Sequence, residues 1–217
     1  MTASAGTAAL VAAIDEGDQA GARAQLAGDP ALAHTRARGA SVLRLAAYAE
    51  MRALVADLLD SGVALDVFDT AALGRADQLA ELLDEDPGRR DVVSDDGFTP
   101  LHLAAFFGQV KATEMLLNRG ADCEARSANA MALQPLNSAA AGCHEVVVHL
   151  LLDHGADADA PMAGGYRPLH AAAHKCGPSM VRLLLDRGAD PNGRADDGLT
   201  PAEVAGDEET RAVFAAL

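Results

Sequence analysis

Cysteine and histidine side chains are the residues of this chain with the most obvious capacity for metal binding or nucleophilic chemistry. The chain contains three cysteines and seven histidines. Cys143 and Cys176 lie close in sequence to His144 and His174, and thiolates together with imidazoles are ligands that zinc prefers. No CxxC spacing accompanies them, so a metal-dependent enzyme or metal site at the Cys143/Cys176/His174 corner is kept only as an alternative hypothesis.

Other signatures of catalysis were sought and not found in the sequence. No glycine-rich phosphate loop follows a strand, and no G-x-S-x-G nucleophile motif is present. The many carboxylates fall in polar stretches that are typical of solvated surfaces. We therefore predict no catalytic residues, no bound metal and no cofactor, and we interpret the chain as a non-enzyme.

Composition and charge narrow the class of protein. The 217 residues carry a formal charge of −15, which disfavours binding to phosphate backbones and so predicts no nucleic-acid partner. No apolar run approaches the ~18 residues of a membrane span, and the first residues lack the basic charge of a signal peptide. Three widely spaced cysteines favour a reducing compartment, so we expect a cytoplasmic protein. The bias toward Arg, Ala and Gly hints at a bacterial source.

An internal repeat organises the chain. The segment that begins at Thr99-Pro100-Leu101 recurs at Gln134-Pro135-Leu136 and Arg167-Pro168-Leu169, so successive prolines are 35 and 33 residues apart. A second landmark, Gly-Ala-Asp, begins 19 residues after each of these leucines, at 120, 155 and 188. Two independent landmarks with one spacing indicate a repeat of about 33 residues.

Each repeat is predicted to form two short helices. In the clearest copy Thr99 is a plausible N-cap, Pro100 suits the first helical position, and Gly120 is placed to end the second helix in a left-handed conformation. A single helix pair cannot bury its apolar face, so the units must stack. We predict one domain over residues 1–217, built from units at approximately 5–34, 39–66, 67–94, 97–126, 130–160, 164–194 and a C-terminal cap at 198–217.

The segment from Asp96 to Ala105, followed by Met115 to Asp122, resembles the ankyrin repeat almost letter for letter. This resemblance implies an all-α solenoid of stacked helix-turn-helix units with short hairpin-like fingers between them. It also implies that His102 and His170 hydrogen-bond to the backbone and link neighbouring units. Cys143 and Cys176 occupy positions that are normally glycine. Because packed helices lie about 10 Å apart, a disulfide between them is not expected.

The resemblance further implies that a partner binds the concave face, which is formed by the fingers and the exposed ends of the first helices. Five of the seven aromatic residues fall at such positions, and aromatic residues are enriched at the centres of interfaces. Acidic pairs flank them, and the longer linker before Gln134 should make one finger bulge. The predicted partner-binding residues are Tyr48, Asp95, Asp96, Phe98, Phe106, Phe107, Met131, Leu133, Tyr166, His174, Lys175 and Leu199.

From these patterns we predict a protein-interaction module that acts as an adaptor, scaffold or inhibitor. Its partner should be a protein with a basic and partly apolar segment, since the predicted surface has an apolar centre and an acidic rim. We expect a monomer, and a self-associating structural protein is the competing interpretation.

Overall fold

The computed structural model describes residues 4–217, and the first three residues of the predicted domain lie outside the described part. The fold is mostly helical. Successive helix pairs are α1 (Ala5–Asp15) and α2 (Gln19–Gly28), α3 (Val42–Tyr48) and α4 (Arg52–Asp60), α5 (Val67–Ala72) and α6 (Ala76–Glu85), α7 (Pro100–Phe106) and α8 (Val110–Asn118), α9 (Pro135–Ala141) and α10 (Glu145–Asp153), and α11 (Pro168–Ala171) and α12 (Pro178–Asp186). A last helix, α13 (Glu208–Ala215), ends the chain.

Local sequence explains why these helices begin and end where they do. The Thr99 hydroxyl accepts a hydrogen bond from the backbone N–H of His102, and Pro100 follows at the first helical position. After α7, Gly108 takes a φ of +68°, a conformation that costs glycine little and that reverses the chain into α8. The predicted boundaries of the clearest helix pair are therefore confirmed.

The helices form two layers. The first helices of successive pairs contact one another, from α1 through α11, and second helices such as α8, α10 and α12 do the same. Buried Leu, Val and Ala side chains fill the space between the layers, as a stack of similar units requires. The core divides into two apolar clusters, one reaching from Leu10 to Leu58 and the other from Val67 to Val213. None of the helices in residues 4–217 is both long and apolar enough to cross a lipid bilayer.

Short fingers project between most helix pairs. One contains a two-stranded antiparallel ladder, β1 (Arg36–Ala37) with β2 (Ala40–Ser41), and the others are tight turns. Neighbouring fingers are joined by backbone hydrogen bonds, from Ala128 N–H to the Gly97 carbonyl and from Ala163 N–H to the Met131 carbonyl, both 2.8 Å. The fingers thus form a continuous row along one side of the stack.

The unit that contains α5 and α6 has no finger. Asp66 caps α5 only four residues after Gly62, whereas Arg167 precedes α11 by one residue and follows Gly155 by twelve. The finger before α3 therefore contacts the finger before α7 directly, and a side chain at Gly39 would collide with the backbone of residues 95–96.

A buried polar network lies where that finger is missing. Arg44 is 1% exposed, and its Nη2 donates a 3.0 Å hydrogen bond to the Gly39 carbonyl. The same guanidinium lies 3.7 Å from the carboxylate of Asp69 and 3.5 Å from that of Asp96. Ser41 Oγ donates to Asp69 at 2.7 Å. The network thus joins three consecutive units at the boundary between the two apolar clusters.

Cys143 and Cys176 are joined by a disulfide, and the expectation of two free thiols is wrong. Their Cα atoms are 5.2 Å apart, well inside disulfide range. The 10 Å spacing applies to helix axes, but these residues lie in turns at the helix ends, and residues 172–176 form a π-helical turn that ends at Cys176. Only Cys123 of the three cysteines remains free, so the odd cysteine count was a poor guide to pairing.

Candidate functional site

The third residue of each first helix links neighbouring units. His102 accepts a hydrogen bond at Nδ1 from the Thr99 N–H, and its Nε2 lies 3.0 Å from the Leu133 carbonyl in the next finger. His170 repeats this arrangement with Arg167 and, at 3.1 Å, with the Leu199 carbonyl. The structure therefore places both histidines in the linking positions that the resemblance implied.

Burial lowers the pKa of His102, because desolvation disfavours the charged imidazolium more than the hydrogen bond to the Leu133 carbonyl favours it. A histidine with a lowered folded-state pKa loses stabilising free energy as the pH falls through its unfolded value of about 6.5. We therefore expect a lower urea midpoint at pH 5.5 than at pH 7.5. Asn137 occupies the same position in the next unit and makes equivalent bonds without a titrating ring. In His102→Asn the difference between the two midpoints should shrink, and an unchanged difference would contradict this assignment.

Three of the predicted aromatic residues form one cluster. Tyr48 from α3 meets Phe106 and Phe107 at the end of α7, with ring centroids 5.8 and 5.2 Å away. Phe106 and Phe107 pack edge to face at 5.2 Å. Tyr48 reaches across the intervening unit because that unit lacks a finger and α5 is short. We call these three residues the aromatic cluster.

A cleft of about 470 Å³ opens beside the aromatic cluster. Leu73 and Met51 contribute apolar walls, and Arg52, Lys175 and Glu50 stand along its edge. Phe106 keeps 38% of its surface exposed there. Burial raises the pKa of Tyr48, and the nearby Asp96 carboxylate, 3.5 Å from the hydroxyl, adds to that shift. Tyr48 is therefore a neutral hydrogen-bond donor that ties the aromatic cluster to the finger row.

Phe98 and Tyr166 lie apart from the aromatic cluster. Their rings pack on His102 and His170, with centroids 5.9 and 5.2 Å apart. Both are half-buried, and each directly precedes the residue before the proline that begins α7 or α11. The Tyr166 hydroxyl donates a 2.6 Å hydrogen bond to Asp197. The five aromatic residues thus form a cluster and two separate contacts, not one stripe.

The remaining predicted apolar residues differ in how much of their surface is exposed. Met131 is 43% exposed on the lengthened finger, where Ala132 adopts a positive φ of 46°. Leu199 is 39% exposed. Leu133 is only 8% exposed and packs inside the repeat, so it cannot offer its side chain to a partner and is removed from the candidate surface. Its carbonyl is occupied by His102.

The acidic residues of the fingers are of two kinds. Asp96 accepts from Ser94 and pairs with Arg44, and Asp197 accepts from Tyr166, so both carboxylates have internal roles. Asp95 and Asp196 are exposed, and within residues 4–217 their side chains make no hydrogen bond or ion pair. Of the finger carboxylates, these two are therefore free to contribute to an acidic rim, which stays a prediction.

The predicted metal corner does not have free thiolates. The sulfurs of Cys143 and Cys176 are bonded to each other, and Nε2 of the neighbouring His144 lies 2.9 Å from the Phe106 carbonyl. His174 and Lys175 are exposed, and Lys175 Nζ donates to the Ala141 carbonyl at 3.3 Å. In the part of the chain that is described, no three His, Cys, Asp or Glu side chains are grouped as a metal site.

Sequence reasoning missed Arg44 and Asp69. Arg44 occupies the third position of α3, which is the position of His102 in α7, and Asp69 is the equivalent residue of α5. The short connection from Gly62 to Asp66 was the available signal, since no finger fits into it. A charged pair at equivalent positions of two consecutive units would then have indicated a direct link between them.

Two family models match the chain. "Ankyrin repeat" matches residues 96–128, and "Ankyrin repeats (3 copies)" matches residues 126–195. These ranges contain α7 to α12 and the fingers between them. The match agrees with the segment in which the repeat landmarks are clearest.

Three curated proteins illustrate the similarity. Ankyrin repeat and SAM domain-containing protein 6 of Rattus norvegicus is 32% identical over 101 residues, which is 46% of this chain and 11% of that protein. ARF GTPase-activating protein Git of Drosophila melanogaster is 49% identical over 55 residues, 25% of this chain and 7% of that protein. The 26S proteasome non-ATPase regulatory subunit 10 of Dictyostelium discoideum is 30% identical over 92 residues, 42% of this chain and 39% of that protein. The chain thus spans well under half the length of these relatives.

Proposed function

Because this chain belongs to the ankyrin-repeat family through residues 96–195, we propose that it is a non-catalytic adaptor, scaffold or inhibitor that binds a partner protein on its finger side. The ankyrin repeat is in general a protein-interaction module. We further propose that residues 1–217 form one domain, which acts as a monomer in the cytoplasm. The matched segment covers at most 39% of the length of these similar proteins, so their activities are not assigned to this chain.

One observation supports the binding surface above the others. Phe106 remains exposed in the cleft beside the aromatic cluster, although its neighbours Tyr48 and Phe107 are largely covered. An exposed aromatic residue in a concave apolar setting is the usual centre of a protein interface. Stacked units present this surface preformed, which limits the entropy lost when a partner binds.

Charge indicates the kind of partner. Asp95 and Asp196 are the unpaired carboxylates described above, and the chain as a whole is strongly acidic. A basic and partly apolar segment would place its apolar side chains on the aromatic cluster and its cationic groups near these fingers. Such long-range attraction would increase the association rate and weaken at high salt.

The test immobilises the wild type and two variants on the same support and measures the affinity of each for the partner protein. The Phe98→Ala/Phe106→Ala/Tyr166→Ala protein should lose at least about 30-fold in affinity for the captured partner, because truncating interface aromatics typically costs 2 kcal/mol or more. The matched control is Val146→Ala, an apolar residue on α10 in the layer of second helices. Helical circular dichroism should be the same in all three proteins.

Two outcomes would contradict the proposed interface, and a third would contradict the proposed monomer. A partner that binds the triple variant as tightly as the wild type would show that the interface lies elsewhere. A partner lost equally by Val146→Ala would place the interface on the layer of second helices. Elution of the purified chain as an oligomer would contradict the proposed monomer.

A further inference from the structure

The turns between the two helices of a unit are connected in the same way at two consecutive unit boundaries. Gln109, in the turn before α8, donates a 2.9 Å hydrogen bond to the Ala72 carbonyl at the end of α5. His144, at the same position before α10, lies with Nε2 2.9 Å from the Phe106 carbonyl at the end of α7. A side chain of one turn therefore binds the helix end of the preceding unit.

The preceding unit makes room for that side chain with glycine. A Cβ on Gly74 would collide with Gln109, and a Cβ on Gly108 would collide with the His144 ring. Both glycines also have positive φ, where a side chain is disfavoured. Glycine at this position and a donor in the next turn are thus two halves of one contact.

The contact between the fifth and sixth units departs from this arrangement in both halves. The glycine position holds Cys143, which keeps a positive φ of 59° despite its side chain. The donor position holds Gly177, which has no side chain, and Pro178 follows it. Gly177 therefore makes no side-chain hydrogen bond; Lys175 reaches the Ala141 carbonyl at the end of α9 instead, at 3.3 Å, and the Cys143–Cys176 disulfide joins the same two turns covalently. Residues 172–176 widen into a π-helical turn that carries Cys176 to its partner.

We propose that this disulfide is a redox-controlled clamp between the fifth and sixth units. A dithiol reductant would open it, and residues 168–217 would then loosen from the stack at the turns. The finger side would hold, because the backbone bond from Ala163 N–H to Met131 and the bond from Asn137 to the Ala160 carbonyl do not involve the cysteines. The loosened units would therefore pivot about the finger row.

The chemistry is thiol–disulfide exchange. A thiolate of the reductant attacks one sulfur, the Cys143–Cys176 bond breaks, and the departing cysteine leaves as a thiolate that takes up a proton. The second thiol of the reductant attacks the mixed disulfide and releases the other cysteine. The protein gains two electrons and two protons, and the reductant becomes a disulfide. Both cysteines are partly exposed, so a reductant can reach them.

The clamp also adjoins the proposed partner cleft. Lys175, beside Cys176, and His144, beside Cys143, both line that cleft. Opening the clamp would therefore alter one edge of the binding surface. This consequence rests on the proposed function, whereas the clamp itself does not.

The experiment uses the full chain in two redox states and needs no partner. Thiols titrated in denaturant should number one, that of Cys123, without reductant and three after dithiothreitol. Hydrogen exchange of amides in residues 168–186 should accelerate at least about tenfold on reduction, while α7 and α8 stay unchanged. Re-oxidation should restore one thiol and slow exchange.

Two variants separate the clamp from other effects of the reductant. Cys123→Ser should respond like the wild type, whereas Cys143→Ser/Cys176→Ser should exchange at the reduced rate in both conditions. Three thiols in air-oxidised protein would overturn the proposal. So would exchange that reduction leaves unchanged in the wild type, or that accelerates equally in α7 and α8.

Discussion

Replacing Arg44 with alanine is expected to lower the free energy of unfolding by about 3–5 kcal/mol, the usual loss when one partner of a buried ion pair is removed. The guanidinium is fully buried and lies between the carboxylates of Asp69 and Asp96. Its loss would leave Asp69 buried without a counter-charge and would remove the donor to the Gly39 carbonyl. Urea denaturation, followed by circular dichroism, measures the change.

The pH dependence of the stability loss provides a second measurement on the same substitution. Burial is the main cause that raises the pKa of Asp69, and the charge of Asp66 adds to it. A carboxyl whose folded-state pKa is raised costs stability above that pKa, and the cost disappears as the pH falls through it. The loss caused by Arg44→Ala should therefore be smaller at pH 5 than at pH 8.

The matched control is Arg36→Ala. Arg36 forms an ion pair of 2.8 Å with Asp66, but both side chains are well exposed, so its removal should cost at most about 1 kcal/mol. Arg44→Met keeps much of the side-chain volume, and combined with Asp69→Asn it should recover part of the loss. Equal effects of Arg36→Ala and Arg44→Ala would show that the network does not join the units.

Removing the disulfide should have the second large effect. The cysteines are 33 residues apart, and the entropy of closing a loop of that size corresponds to about 3–4 kcal/mol at 25 °C. The Cys143→Ser/Cys176→Ser protein should unfold at correspondingly lower urea, and the reduced wild type should approach it. Because repeat arrays can unfold in stages, spectroscopic probes on α7 and α12 should be followed separately.

Cys123→Ser is the control for this second prediction. Cys123 is free, and its Sγ makes only a long contact of 3.6 Å with the His154 carbonyl. Its substitution should change the free energy of unfolding by less than about 0.5 kcal/mol. A double-serine variant as stable as the oxidised wild type would show that the bond does not contribute to the folded state.

The helix pairs could be predicted because their signals are local. The Thr99–Pro100 start of α7 and the left-handed glycine at 120 depend on residues within one or two turns of chain. The linking role of His102 followed from the family resemblance, since every regular unit repeats the same contact. The same reasoning placed Phe106 at an exposed helix end.

Sequence patterns could not predict the contacts between units where the repeat is irregular. The missing finger was not recognised, so the pairing of Arg44 with Asp69 and Asp96 was missed. Leu133 was predicted from the repeat alignment to face a partner, yet only 8% of it is exposed. The aromatic cluster was expected as part of a longer stripe that the structure divides.

The order and ends of the helices, the repeat length and the acidic character of this protein can be read from the chain alone, because each depends on neighbouring residues or on composition. The disulfide, the buried arginine and the cleft depend on the distance between side chains about one or two repeats apart. That distance is determined by how the units stack, and here a missing finger brings the fingers before α3 and α7 into direct contact. Three-dimensional packing therefore decided which residues of this repeat protein are available to a partner.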